Sequence, residues 1–405
     1  MNFKKILFGQ KDLMSIGFAN ILGSAISSIF WFYLATLIDP NEYGQIHYFL
    51  GIAAMGQLFA LIATPNAITV YVAKNIKIHS TLFFISILTG ILSAIVIFAL
   101  FFRFDASFLI LGYIIFELVN GLLLGKKLFS TYSKFFLTQK ILTLIFGLGF
   151  FTLFGFEGVI YGLILSYIPY IWVFIKEFYT TKINFSLLKT RKGFILNNYG
   201  INISNAVSGQ IDKIIIAPIL GFELLGNYAL AAQFLVVLMM LSNIVFKYML
   251  SQESSGQNTN RLKNYTILLS IVITIFGVLV IPKIIPILFP KFISAIDAIQ
   301  IISLSVIPGT IALVYESKLL ALEKSKFLVI SKISATIIIV GGFLTLGVVY
   351  EIIGLALTLL IAAIFQAIFL VIANRILKKD KEEKEQDKEE KEQLNPSNAE
   401  CLMPE

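Results

Sequence analysis

The chain has 405 residues, 58% of them hydrophobic and only 14% charged, with a mean hydropathy of +0.87. A soluble domain is about 45–50% apolar and about 25% charged, so this composition excludes a soluble enzyme, a disulfide-stapled secreted scaffold and a nucleic-acid-binding domain. Roughly 235 hydrophobic residues, at ~20 per membrane crossing, suffice for about a dozen helices. An all-α integral membrane protein follows.

In chain order, apolar runs between charged or Pro/Gly-bearing breaks predict twelve spans, near 13–38, 43–64, 80–102, 106–125, 136–154, 157–178, 196–218, 224–246, 264–288, 296–317, 327–348 and 353–375. The first run is too long for a signal-peptide core and reads as a retained span. With the N-terminus in the cytoplasm, the inside loops hold nineteen Lys and Arg residues, whereas the outside loops hold only Arg103, Lys283 and Lys291. That bias supports twelve spans with both termini inside. The outside connections, such as Asp39–Glu42 and Gly155–Glu157, are too short for an extramembrane catalytic domain.

The formal net charge of +8 is uneven. Residues 378–405 carry 6 Lys against 10 acidic residues, and the rest of the chain carries 26 basic against 14 acidic residues. The excess marks cytoplasmic loops, with no nucleic-acid partner expected. The tail reads as a solvated mixed-charge helix extension with pairs at i, i+4 spacing. The single cysteine, Cys401, allows no intramolecular disulfide, and the separated His47 and His79 offer no zinc site. Both histidines read as interfacial.

The chain also repeats itself. Ser133-Lys134-Phe135 with Lys140-Ile141 recurs as Ser325-Lys326-Phe327 with Lys332-Ile333, a shift of 192. Asn20-Ile21 recurs as Asn202-Ile203 at a shift of 182, which also carries Gly44 onto Gly226. The shift spans six helices, so the halves share one orientation, as in parallel-repeat transporters. The expected domains are a six-helix lobe over 1–178, a basic linker over 179–195, a second lobe over 196–376 and a charged tail over 377–405. A seam between the lobes is the natural place for a substrate.

Polar side chains inside the spans mark that seam. Asn20, Ser24, Ser27 and Ser28 form a stripe on the first span, and Asn202, Asn205, Ser208 and Asp212 form one on the seventh. Lipid cannot satisfy these groups, so they face protein or a wet cavity. Helix packing by small polar residues is the competing reading. Asp212 and Lys213 point about 100° apart and break the repeat; function and outward snorkelling of Lys213 both account for them. Glu117 lies deep in the fourth span near Lys140 of the fifth, and Glu316 with Lys332 repeats the arrangement. Lys140 and Lys332 either snorkel to headgroups or receive an anionic headgroup. There is no Walker loop, carboxylate dyad or nucleophile–base pair at mechanistic spacing. Neither enzymatic chemistry nor a cofactor is expected, and an H+ or Na+ gradient is a candidate energy source.

Leu37-Ile38-Asp39-Pro40-Asn41-Glu42-Tyr43-Gly44 resembles the signature turn of the oligosaccharide-lipid (O-antigen type) flippases of the polysaccharide transporter group. Gly221-Phe222-Glu223-Leu224-Leu225-Gly226-Asn227-Tyr228-Ala229 echoes it, and Thr64-Pro65-Asn66-Ala67, Leu288-Phe289-Pro290-Lys291-Phe292 and Gly354 are similar too. That group shares a superfamily with multidrug and toxin extruders and peptidoglycan-precursor flippases. The resemblance covers residues 1–376. It implies a MATE-like, V-shaped pair of six-helix lobes in the bacterial cytoplasmic membrane. The implied substrate is an undecaprenyl-pyrophosphate-linked glycan, moved to the outer leaflet and passed to a downstream glycan polymerase or ligase. Few cations lie within the spans (Lys140, Lys213, Lys332 and Arg103), so either the substrate is close to neutral apart from its pyrophosphate or amides do most of the recognition. A multidrug or cation antiporter on the same fold is the alternative, kept open by Glu117 and Asp212. A membrane glycan polymerase is a third, disfavoured by the short outside loops.

Overall fold

The computed structural model describes the backbone of residues 3–394 except 63, 256 and 323; the side chains of 3–14, 194, 197, 198, 200–209, 251, 325 and 378–394 lie outside the description. The helices are α1 (Phe3–Leu37), α2 (Pro40–Ala60), α3 (Pro65–Ala73), α4 (His79–Phe101), α5 (Phe104–Gly125), α6 (Phe129–Phe154), α7 (Phe156–Leu165) and α8 (Ile168–Phe178). They continue with α9 (Phe185–Lys189), α10 (Lys192–Leu220), α11 (Phe222–Ser254), α12 (Asn260–Leu279), α13 (Ile281–Leu288), α14 (Ile296–Leu304), α15 (Val306–Ala321) and α16 (Ser325–Leu394). Among the described residues, nine helical segments are long and apolar enough to cross a membrane, or ten if bent α2 and α3 form one span. The chain is a multi-pass membrane protein.

Local chemistry sets the boundaries. Asp39 caps α2: its carboxylate accepts from the Glu42 N–H (2.9 Å), and Glu42 accepts from the Asp39 N–H (3.2 Å). With Pro40 at the first turn this is a capping box, the physical content of the Asp39-Pro40-Asn41-Glu42 turn. The second span does not end where the sequence suggests. Thr64 caps α3 behind Pro65, and α3 runs on at 44° to α2. Hydroxyls from neighbouring helices donate to backbone carbonyls around the break. Ser93 donates to the Gly56 carbonyl (2.9 Å), Thr89 to Ala60 (2.6 Å) and Tyr199 to Phe59 (2.6 Å).

The long α16 is two antiparallel arms. Its backbone reverses at Glu351 (φ 49°, ψ −128°), and a Cβ on Gly354 would lie 1.9 Å from the Leu346 carbonyl oxygen. A straight helix would place residues eight apart ~12 Å from each other. The α6–α7 hairpin turns likewise at Gly155 (φ 67°), with a Cβ on Gly158 falling 2.3 Å from the Phe150 carbonyl oxygen. The two hairpins match at a shift of 196, so the repeat offset grows from 182 through 192 along the chain.

Packing is reciprocal. α2 lies along α11; α1 packs on α6 as α10 packs on α16; and α1 meets α11 as α10 meets α2. The buried core includes Phe30, Tyr43, Phe83 and Phe292, whereas large apolar side chains such as Leu92, Leu153 and Ile337 point outward, as lipid contact requires. Connections expected on one side do meet there. On the lysine-poor side Lys291 Nζ donates to the Leu37 carbonyl (3.3 Å). On the lysine-rich side Lys126 pairs with Glu177 (2.5 Å), and His79 Nε2 bonds Thr180 Oγ1 (2.9 Å). α16 carries helix into the charged tail as far as Leu394, but the tail's i, i+4 side-chain pairs lie outside the described residues.

Candidate functional site

A cavity of about 510 Å³ opens where α1, α2, α5, α10 and α11 converge. The α2–α11 contact brings Gln57, Tyr228 and Gln233 to it; α5 contributes Tyr113, Phe116 and Glu117; α10 contributes Gln210, Asp212 and Lys213. Trp31, His47 and Tyr167 complete its aromatic side. Three carboxamides, two carboxylates, one ammonium and several flat rings form a surface able to bind hydroxyl-rich or cationic groups.

Asp212 and Lys213 are not each other's ion pair. The Asp212 carboxylate accepts from the Tyr228 hydroxyl (3.2 Å) and from the Lys213 backbone N–H (2.8 Å). Lys213 Nζ instead donates to Gln210 Oε1 (2.7 Å), and its stem passes 3.0 Å from a Cβ built on Gly51. A side chain at 51 would press on that stem at the α2–α10 contact. Glu117 stands on the cavity wall under the field of Lys140, without an ion pair between them. Lys140 itself packs against α1 at Gly23 and over the Phe136 ring (5.4 Å).

A smaller cavity, about 250 Å³, lies between α1 and α11, which supply all of its described lining residues. Asn20, Ser24 and Ser28 line one wall, and Asn243 and Lys247 line the other. Gln233 Nε2 donates to Ser28 Oγ (3.1 Å), and Val236 belongs to both cavities. Together they trace a polar path along α11 from Tyr228 to Lys247. Ser27 is half-buried and belongs to neither wall. Asn202 and Asn205 stand on α10, but their side chains lie outside the described residues. Lys332 is 42% exposed, pairs with Glu316 at 3.1 Å and lines neither cavity.

Sequence reasoning missed Gln57, Gln210, Gln233 and His47. His47, read from the sequence as interfacial, is buried on the cavity wall, between Trp31 (4.7 Å between centroids) and Tyr43 (4.5 Å), with Nε2 unpartnered.

No protein-family model matches the sequence, and no curated protein matches it. Among solved structures, an inward-facing multidrug resistance MATE family transporter of the MOP superfamily superposes at a TM-score of 0.67. Identity is 15%, with 89% of this chain and 96% of that one covered. The lipid II flippase MurJ, in an inward closed conformation, gives a TM-score of 0.69 at 16% identity, covering 89% of this chain and 87% of that one. A MOP superfamily transporter from Pyrococcus furiosus, described as having a binding pocket of reversed polarity, gives 0.58 at 16% identity, with 90% and 93% covered. A multidrug resistance transporter and a lipid II flippase are thus matched alike, and what this chain shares with both is the MATE-like fold.

Proposed function

We propose that this protein is a flippase that moves a polyprenyl-pyrophosphate-linked oligosaccharide from the cytoplasmic to the outer leaflet of a bacterial cytoplasmic membrane by alternating access. In this reading α16 counts as two spans and α10 as one, which gives twelve in two six-helix lobes, 1–178 and 196–376, with both termini cytoplasmic. The basic 179–195 segment links the lobes, and the charged 377–405 tail plays no part in transport. Undecaprenyl pyrophosphate is the lipid carrier, and a glycan polymerase or ligase receives the product.

The observation that carries this reading is the amide-and-aromatic cavity joined, through Gln233, to a second cavity between α1 and α11. Sugar hydroxyls bond to carboxamides while their C–H faces stack on rings such as Trp31 and Tyr228. A lipid-linked sugar also needs a slit for its tail. Ser24 faces the second cavity while Phe18 and Ile29 on the same helix are exposed, so α1 separates the polar path from lipid by a single helix.

Glu117 and Asp212 outnumber Lys213 on the cavity wall, which favours a second reading, export of a cationic drug against H+ or Na+. The test is reconstitution in proteoliposomes with two substrates offered separately. One is a fluorescent polyprenyl-pyrophosphate disaccharide scored for leaflet transfer; the other is ethidium scored for gradient-driven movement. Transfer of the lipid-linked sugar alone supports the flippase, and ethidium movement alone transfers the assignment to the antiporter.

A further inference from the structure

A cavity of about 570 Å³, larger than the central one, lies on the lysine-rich side between the α3–α4 and α5–α6 connections. It shares no wall with the transport path. Lys77, Lys126, Lys127, His79 and Asn75 line it. Glu177 neutralises Lys126 (2.5 Å), and Thr180 occupies His79 Nε2. Lys77 and Lys127 have no ion pair among the described residues. Each connection turns through a left-handed non-glycine residue, Asn75 (φ 56°) and Lys127 (φ 57°).

The other half of the duplicated scaffold treats the matching place differently. There Glu253 accepts from Thr259 Oγ1 and from Ser317 Oγ (2.5 Å each), so an acid bridges the corresponding connections. Loop lysines that only set membrane orientation need no cavity, and would serve equally in either half. Among the described residues, a carboxylate bridges that place in one half, and two lysines without an ion pair face a cavity there in the other.

We propose that this cavity binds the phosphate group of an anion at the membrane–water boundary, at a site separate from the transport cavity and independent of the flippase reading. Lys77 precedes α4 and Lys127 precedes α6, so a phosphate bonded to both joins two helical hairpins. α5 runs from this site to Glu117, which gives occupancy a direct mechanical route to the central cavity. A phospholipid headgroup and free pyrophosphate share the required chemistry.

The test uses the purified full-length protein. Native mass spectrometry measures retention of phosphatidylglycerol against phosphatidylcholine, and a thermal shift measures stabilisation by inorganic pyrophosphate. Neutralising both free lysines, as Lys77→Gln with Lys127→Asn (Asn tolerates the left-handed backbone), is expected to weaken binding about 25-fold, at about fivefold per lysine. Lys176→Gln removes a lysine from a helix end on the same side but outside the cavity, and is expected to leave binding within about twofold. Phosphatidylglycerol retention that pyrophosphate does not displace identifies a headgroup as the source; pyrophosphate stabilisation with displacement identifies a soluble phosphate. Should the double variant fail to fold, Lys77→Gln alone carries the test, with a fivefold loss expected. No preference for either anion in the wild type, or an equal loss in Lys176→Gln, overturns the proposal.

Discussion

Gly44 and Gly226 meet face to face: a Cβ on Gly44 would fall 1.8 Å from the Phe222 carbonyl oxygen, and a Cβ on Gly226 would fall 1.8 Å from that of Pro40. Contacts that exchange equivalent residues are the mark of a two-fold axis, and Pro40 and Phe222 are themselves separated by the repeat shift of 182. These glycines lie at the lysine-poor ends of α2 and α11, where the two backbones leave no room for a side chain. Any motion that opens the path toward that side has to part them.

Gly44→Ala or Gly226→Ala is therefore expected to disfavour the closed contact, by about 1–3 kcal/mol, the usual cost of forced overpacking. The check is cross-linking of Leu37→Cys to Lys291→Cys with a short bis-maleimide in a Cys401→Ser background, since the Lys291 side chain reaches the Leu37 carbonyl across the same end. Each alanine is expected to lower cross-linking several-fold. Undiminished cross-linking would mean that the helices slide past the clash without separating.

Tyr228 holds Asp212 in place across the α10–α11 contact. Tyr228→Phe removes one bond to a charged group, worth about 1.5–3 kcal/mol, and should reduce transport roughly tenfold or more while the protein remains in the membrane. Asp212→Asn keeps the acceptor and should be milder than Asp212→Ala. Equal transport in all three variants would remove this pair from the mechanism.

Two ion pairs should differ in weight. Arg103 grips the buried Asp105 with two bonds (2.9 and 2.6 Å) while stacking on Phe49 at 4.4 Å. Asp105→Ala strands the arginine and should destabilise by about 3 kcal/mol. Lys332 is far more open to its surroundings, and Lys332→Gln should cost no more than about 1 kcal/mol and leave transport unchanged. Thermal unfolding in detergent and vesicle transport separate the two cases.

Most helices were legible because long apolar runs ended in recognisable chemistry, such as the Asp39 capping box and Gly155. The bend between α2 and α3 was not, because Thr64-Pro65 marks a helix start as readily as a span's end, and only tertiary hydroxyls on α4 and α10 decide between them. Charged cavity residues such as Glu117 and Asp212 stood out against apolar neighbours. The glutamines did not, since an uncharged amide in an apolar run carries little signal alone. The repeat held the missing information in another form: a shift of 182 carries Ser28 onto Gln210 and Gly51 onto Gln233. Ser28 bonds Gln233 at the α1–α11 seam, and beside Gln210 the Lys213 stem packs on Gly51 at the α10–α2 seam. Equivalent positions build both seams with different residues, so a search for identical residues passes over them.

The central claim is that a polar path runs between the halves along α11. Its most direct measurement is cysteine labelling in a Cys401→Ser background, with Gln233→Cys and Ser24→Cys on the path and Leu92→Cys on the outer surface. A membrane-impermeant polar thiol reagent applied from the lysine-rich side should modify positions 233 and 24 and spare 92. Modification of 233 and 24 only by lipid-soluble reagents would contradict the account.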